Sequence, residues 1–362
     1  MKYNVIDLFS GCGGISKGFE LANFEILGGV DFNQEAIDTF NLNFPEANGI
    51  CTDMLTIKDD DIPFMFNLLS EVDVVVGGPP CQGFSSANRW KKDDDDPRNK
   101  LFYEFIRFVR LLKPKYVVIE NVRGILTKDK GYACDRIYSV LEAEGYHVES
   151  EVLDASMYGT PQKRFRAFFL ASRLDMPMLT FDKFKPQELV AVKEAIGELY
   201  DLEKTAMSGR DEFKLLTKPK TKYQKYLRAK DSIITSHDVR YPAEIQQQRI
   251  SHVPQGGNWK NIPGELFPSE RTNRHSSAYK RLNENDLSVT IDTGNAHSNY
   301  FHPVFNRIPT VREAARLQSF PDSFKFSGSR TSQYRQVGNA VPPLLAKAIA
   351  DVILEALKNG EK

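Results

Sequence analysis

One of the chain's four cysteines, Cys81, lies in GGPPCQGFS (77–85), directly after the apolar run VDVVV. A cysteine used for packing fits inside such a run as a small buried hydrophobe. One held between Pro79-Pro80 and Gly83, beyond the strand, is placed to be reached, as a nucleophilic thiol must be. The next strand-like run ends in Glu120-Asn121, in VVIENV. A carboxylate closing a buried strand is costly without a partner or a task, and on the carboxyl edge of a sheet it would stand beside Cys81. In QKRFR (162–166), Arg164 and Arg166 alternate onto one face of a strand, a pair suited to grip a phosphate or a carbonyl. Near the N-terminus, DLFSGCGGISKGFE places Gly11, Gly13 and Gly14 at the opening of a helix, where backbone can approach a ligand closely. Asp31, 20 residues past Gly11, is placed for a ribose diol, and Asp53 in CTDM for an adenine amino group. Loop and acids together suit a nucleoside; read blandly, they are turn glycines and capping acids. A dinucleotide fingerprint, G-x-G-x-x-G, is broken here by Ser16.

Such residues need a frame. The runs YNVIDLF (3–9), EILGGVD (25–31), VDVVV (72–76), YVVIE (116–120) and FRAFFLA (165–171) read as strands, and Gln34–Phe44, Phe102–Leu112 and Cys134–Glu144 as helices. All-apolar strands alternating with helices predict a parallel sheet covered on both faces, with ligands beyond the strands' carboxyl ends. Between Ser85 and Lys100 the chain is polar and unpatterned, the length of a lid or binding loop, with KKDDDD (91–96) as a solvated hinge. Beyond about residue 176 periodicity weakens while Pro, Gly, Asn and basic residues accumulate, so 181–303 is predicted to be a separate loop-rich domain with some β structure, LSVTID and NYFHPVF being short strands. Two helical patterns follow, TVREAARLQSF (310–320) and VPPLLAKAIADVILEALK (341–358).

Composition, 41% hydrophobic and 27% charged, is that of an ordinary globular protein. No apolar run approaches the roughly 18–20 residues that span a membrane, and MKYNVIDLFSG enters a strand pattern without a leader, so a cytoplasmic protein with no membrane partner is expected. The cysteines are scattered, with no C-x-x-C pair and no His cluster, which argues against disulfides and against a metal site. Net charge is zero, yet residues 203–282 hold 16 Lys/Arg against eight Asp/Glu, leaving the rest at −8. The densest part, KLLTKPKTKYQKYLRAK (214–230), with tyrosines interleaved, suits a phosphate-backbone surface or a solvated face.

In this order, DLFSGCGG, Asp31, Asp53, GGPPCQGFS, ENV, QKRFR, REAARLQSFPDSF (312–324) and QVGNAVPP (336–343) closely resemble the motifs of the cytosine-5 DNA methyltransferases of bacterial restriction–modification type. The likeness runs from Tyr3 to about Leu345, except the middle region, which varies within that family because it reads the target sequence. It implies the S-adenosylmethionine-dependent (Rossmann-like) α/β fold, a doubly wound sheet with a smaller target-recognition domain. The catalytic domain would comprise 1–180 plus 304–362, the helix from Val341 returning to pack beside the glycine loop, and the recognition domain 181–303. S-adenosyl-L-methionine, leaving as S-adenosyl-L-homocysteine, would be held by Phe9, Gly11, Cys12, Gly13, Gly14, Asp31, Phe32, Asp53, Met54, Gly78, Pro80, Leu101, Asn339 and Val341, with Phe32 and Met54 sandwiching the adenine. Asp31 stands where many relatives carry glutamate, and Phe32 where some carry tryptophan; both keep the chemistry.

The resemblance also assigns the reaction. Cys81 would add to C6 of a flipped-out cytosine, Glu120, kept partly protonated in an apolar setting, would donate to N3, and Arg166 with Arg164 would support the base's O2 and the thiolate. Ser85 would lie near the flipped nucleotide's phosphate under the 85–100 loop. Arg271, Arg274, Lys280 and Arg281 would contact phosphates or guanine edges, and Thr290 would serve at the end of the recognition domain. The implied partner is double-stranded DNA, met by a monomer, with a cognate restriction endonuclease as a candidate second partner. Three rivals remain: a tRNA cytosine-5 methyltransferase, disfavoured by the long basic middle region; a DNA-binding protein lacking catalysis, disfavoured by Cys81 and Glu120; and an NAD-dependent dehydrogenase, disfavoured by Ser16.

Overall fold

A computed structural model describes residues 2–68, 71–80, 99–206, 209–267, 279–293 and 300–360. The chain divides into two compact units, one of residues 1–158, 165–186 and 341–362 and the other of 159–164 and 187–340.

In the first unit, β1 (Asn4–Leu8), α1 (Gly14–Leu21), β2 (Glu25–Asp31), α2 (Gln34–Asn43), β3 (Asn48–Cys51), α3 (Ile62–Met65), β4 (Val74–Gly77), α4 (Lys100–Leu112), β5 (Tyr116–Val122), α5 (Tyr132–Ala143), β6 (Tyr146–Asp154) and β7 (Phe165–Arg173) follow one another. The strands form a seven-stranded sheet among the described residues, ordered β3-β2-β1-β4-β5-β7-β6. β1 to β5 are parallel, as predicted, but β7 runs antiparallel to both β5 and β6. The period of two divides the core between the faces. Ile6, Val75, Val117 and Phe169 pack with Phe102, Phe105 and Ile137 of α4 and α5. Val5, Val74, Val76 and Val118 pack with Phe19 of α1 and with Leu345, Ile349 and Ile353 further on. β6 is an edge strand whose sequence, YHVESEVLD, alternates with water rather than being apolar throughout; a search for all-apolar runs passes over it.

The second unit contains α6 (Val192–Ile196), β8 (Phe213–Lys214), α7 (Lys222–Leu227), β9 (Ile233–Ile234), α8 (Glu244–Ser251), β10 (Lys280–Arg281), β11 (Tyr300–Phe301), α9 (Val311–Leu317) and α10 (Arg330–Asn339). β8–β9 and β10–β11 are two-residue pairings. LSVTID, expected as a strand, makes only an isolated bridge, Ser288 to Gln162. By compactness, 304–340 sits with this unit rather than with the first, and α10, RTSQYRQVGN, was not legible because it has few apolar residues to reveal a helical period.

The chain then returns to the first unit as α11 (Pro343–Gly360), which packs on α1. The crossing is close at Gly18, where a Cβ would lie 2.4 Å from that of Ala346 and 2.6 Å from the Lys347 nitrogen. Among the described residues no helix is long and apolar enough to cross a membrane.

Candidate active site

β1 and β4 are sequence-distant neighbours on either side of the point where strand order reverses, the place where open α/β sheets bind ligands. Past Leu8 the chain turns through left-handed backbone at Phe9 (φ 61°), Gly11 (φ 52°) and Gly13 (φ 92°) before α1 begins at Gly14. Side chains rarely adopt these angles. A Cβ on Gly13 would meet the Phe44 ring at 2.6 Å, whereas one on Gly11 would face open space. Asp31 anchors the loop: its Oδ2 accepts the Gly11 N–H at 2.9 Å and its Oδ1 the Asn33 N–H at 2.9 Å. Ser16, which breaks the dinucleotide fingerprint, donates its hydroxyl to Asp7 Oδ2 at 2.6 Å, and its N–H reaches the same oxygen at 3.2 Å. Burial pushes the Asp7 carboxyl up to about 7, with the Asp31 charge adding to the effect. Sequence reasoning had not singled out Asp7; its signal was an acid inside an otherwise apolar strand.

Around this loop, Phe32 is 76% exposed directly after Asp31, while Met54 is 3% exposed within the core cluster. Of the expected adenine sandwich, only the phenyl ring presents a free face. Asp53 is exposed and its Oδ1 accepts the Leu55 N–H at 3.0 Å, starting a short helical turn. Phe9 and Leu101 are half-buried against the same core, and Val341 is buried in the opposite one. Cys12 is buried and its thiol pushed up to about 12 by that burial, so it packs rather than reacts.

The neighbouring strand ends hold the charged pair. Because β7 is antiparallel to β5, its first residues lie beside β5's last, with Arg166 opposite Val122. Arg166 Nε donates to Glu120 Oε1 at 2.8 Å, the two side chains being 18% and 15% exposed. Glu120 was expected in an apolar setting; its neighbour is instead a guanidinium. Gly78 lies against it, since a Cβ there would be 3.0 Å from Glu120 Oε2. Asn121 Nδ2 donates to the Pro79 carbonyl at 3.1 Å, fixing the backbone that leads to half-buried Pro80. The motif ENV gave Asn121 no role of its own, and this bond supplies one. Cys81 and Ser85 lie outside the described residues.

Arg164 is not the strand partner of Arg166. It precedes β7, is fully buried in the second unit, and donates from Nη1 and Nη2 to the carbonyls of Ile291 and Gly338, each at 2.8 Å. The segment is held there further by Lys163 N–H to Ser288 O (3.0 Å) and by Thr290 Oγ1–H to Lys163 O (2.7 Å). Asn339 is the last residue of α10 and is exposed.

Arg281, expected on DNA, is 8% exposed. Its guanidinium donates to the carbonyls of Pro303, Ile250, Val253 and Val304 and to Asn306 Oδ1. Those acceptors, drawn from the end of α8, the turn after it and the 303–306 segment, take up all three of its nitrogens. Lys280 is half-buried, with Nζ donating to Gly256 O; Arg271 and Arg274 lie outside the described residues. The interleaved tyrosines of 214–230 also turn inward, Tyr223 and Tyr226 donating to the Arg316 and Ser319 carbonyls. The motif REAARLQSFPDSF is likewise architectural: Arg316 pairs with Asp322 and Glu198, and Glu313 with Arg307, all buried or nearly so.

Comparison with known proteins shows the family and the fold. The profile of the C-5 cytosine-specific DNA methylase family matches residues 3–355. The type II methyltransferase M.DdeI of Desulfomicrobium norvegicum is 37% identical over 97% of this chain and 88% of its own length. M1.HphI of Haemophilus parahaemolyticus is 38% identical over 99% and 88%. Among solved structures, one described as a DNA modification methyltransferase encoded within an Escherichia coli prophage superposes with a TM-score of 0.81 at 28% identity, covering 99% of this chain and 100% of that one. Dnmt2 of Schizosaccharomyces pombe shares the fold, with a TM-score of 0.64 at 19% identity over 99% of each chain.

Proposed function

The chain belongs to the C-5 cytosine-specific DNA methylases and is a DNA (cytosine-5)-methyltransferase; we propose that it modifies a cytosine flipped out of a specific duplex sequence, through a covalent adduct with Cys81. The observation that carries this reading is the Glu120–Arg166 pair at 2.8 Å, set beside Gly78 at the strand end that leads to Cys81.

The methyl donor fits the glycine loop. Gly11 opens onto free space above a helix start, Asp31 stands next to it, and the exposed Phe32 ring follows. Gly11, Gly13, Asp31, Phe32 and Asp53 would hold S-adenosyl-L-methionine, which when bound supplies an electrophilic sulfonium methyl. The protein's own residues must make the base reactive, because cytosine C5 is electron-poor. Addition of the Cys81 thiolate to C6 forms a C–S bond and sends the ring electrons toward N3. Glu120 donates a proton to N3 and takes up that charge, while Arg166 orients the carboxyl group and keeps positive charge beside it. C5 is thereby nucleophilic; once it carries the methyl group, a base takes the C5 proton, the C–S bond breaks to release the Cys81 thiolate, and N3 returns its proton to Glu120, which restores the ring. A stacked cytosine cannot be reached this way, so the base must leave the helix. In this reading the protein works as a monomer in a bacterial cytoplasm, and Thr290 and Lys280 lie on the DNA side. Arg164 and Arg281 contribute by holding backbone.

Transfer of radiolabelled methyl groups tests this. Wild-type protein should label duplex DNA and not tRNA, bisulfite sequencing should locate one target sequence, and Cys81→Ser should abolish labelling. Label on tRNA alone, or an active Cys81→Ser variant, would sink the proposal.

A further inference from the structure

The segment 214–230 contains six lysines, one arginine and no acid. Folding separates its residues sharply. Leu215, Tyr223, Leu227 and Ala229 are buried, and Arg228 is engaged by Glu198 and by the Thr217 carbonyl. All six lysines, at 214, 218, 220, 222, 225 and 230, remain exposed. The segment is also compact. Lys214 pairs with Ile233 across β8–β9, Leu215 N–H donates to Ser232 O at 2.8 Å, and Arg228 Nη1 closes on Thr217 O at 2.8 Å. A capping box at Thr221 starts α7, so Lys222 and Lys225 stand one turn apart.

Little opposes this charge. Lys222 reaches Glu188 at 3.5 Å, but both side chains are about nine-tenths exposed (91% and 87%), a pair worth about 0–1 kcal/mol. The acids flanking the segment are three, Asp211, Glu212 and Asp231, against its seven basic residues; Asp211 accepts the Ser236 N–H and Asp231 the Ile233 N–H, each at 3.0 Å, which holds both carboxylates at the backbone. The arginine fork and the tyrosines face inward, so beside Leu216 and Thr217 the segment presents chiefly ammonium point charges. Lysines of this kind bind phosphate and carry affinity without sequence information.

Resting on the methyltransferase activity, we propose that the 214–230 surface is a sequence-independent docking site for the phosphate backbone of duplex DNA, engaging DNA whether or not a target is present. The test uses the full chain and a short duplex of alternating A·T pairs, which lacks cytosine and so cannot be a target. Lys218, Lys220, Lys222 and Lys225 are changed together to Gln, and binding is followed by fluorescence anisotropy between roughly 50 and 200 mM salt. Every phosphate that the variant no longer neutralises flattens the plot of log K against log salt by about 0.9, so the slope should fall by about 3 to 4 and affinity at low salt by more than about tenfold. The corresponding Lys→Arg variant must retain the slope. Unchanged affinity and slope in the Gln variant overturns the proposal and leaves an acidic protein as the surface's partner; a flattened slope in the Arg variant overturns it as well. Failure of the methyltransferase reading would show separately, as no methyl transfer by the wild-type protein.

Discussion

Replacing Arg166 by Met removes the cation beside Glu120 while keeping most of the stem's bulk. With Nε 2.8 Å from Oε1, the charge centres stand about 4 Å apart, an attraction of about 1 kcal/mol in bulk water and about 4 kcal/mol at an effective dielectric of 20. Side-chain exposures of 18% and 15% place the pair toward the second figure. Desolvation and side-chain ordering subtract from it, leaving a coupling of about 2 kcal/mol. A cycle of Arg166→Met, Glu120→Gln and the double variant measures that coupling by denaturant unfolding. Single-turnover methyl transfer on the same proteins measures it in the reaction. Each single change should lower the rate by about 10²–10³, the scale seen when one group that stabilises developing charge is removed, and the double variant should be little worse than the worse single. A coupling below about 0.5 kcal/mol together with additive losses in rate would refute the idea that the two groups act as one unit.

Three further outcomes follow from the packing. Asp7 titrates near 7 in the folded chain against an ordinary 3.8, so the folded state binds its proton more tightly; this favours folding below about 4 and is lost as pH rises through 7, about 4 kcal/mol in all. Asp7→Asn should flatten that part of the stability–pH profile, and a variant that keeps the full slope between pH 4 and 7 would show the carboxyl is not its source. Gly18→Ala forces a Cβ to 2.4 Å from Ala346 and should cost about 2–3 kcal/mol of unfolding free energy; an unchanged melting curve would contradict so close a crossing. Arg281→Ala strands several carbonyls that its guanidinium now satisfies and should destabilise the protein by about 3 kcal/mol, whereas a variant of full stability with weakened DNA binding would return Arg281 to the DNA.

The sequence by itself determined the parts whose physics is local. All-apolar runs specify strands covered on both faces, Gly11 and Gly13 meet φ values that side chains resist, and Asp31 and Glu120 lie at or near the carboxyl ends of their strands, the edge at which open α/β sheets bind ligands. The motif order determined the family. Partnership and facing were decided only by the tertiary structure. Arg166 meets Glu120 because β7 is inserted antiparallel between β5 and β6, a choice of strand order between distant segments that no local pattern encodes. β6 escaped notice because an edge strand need not be apolar throughout. Arg164 and Arg281 look in sequence like any DNA-facing arginine. A guanidinium satisfies loop carbonyls as readily as phosphates, so only the packing around each one settles which it serves.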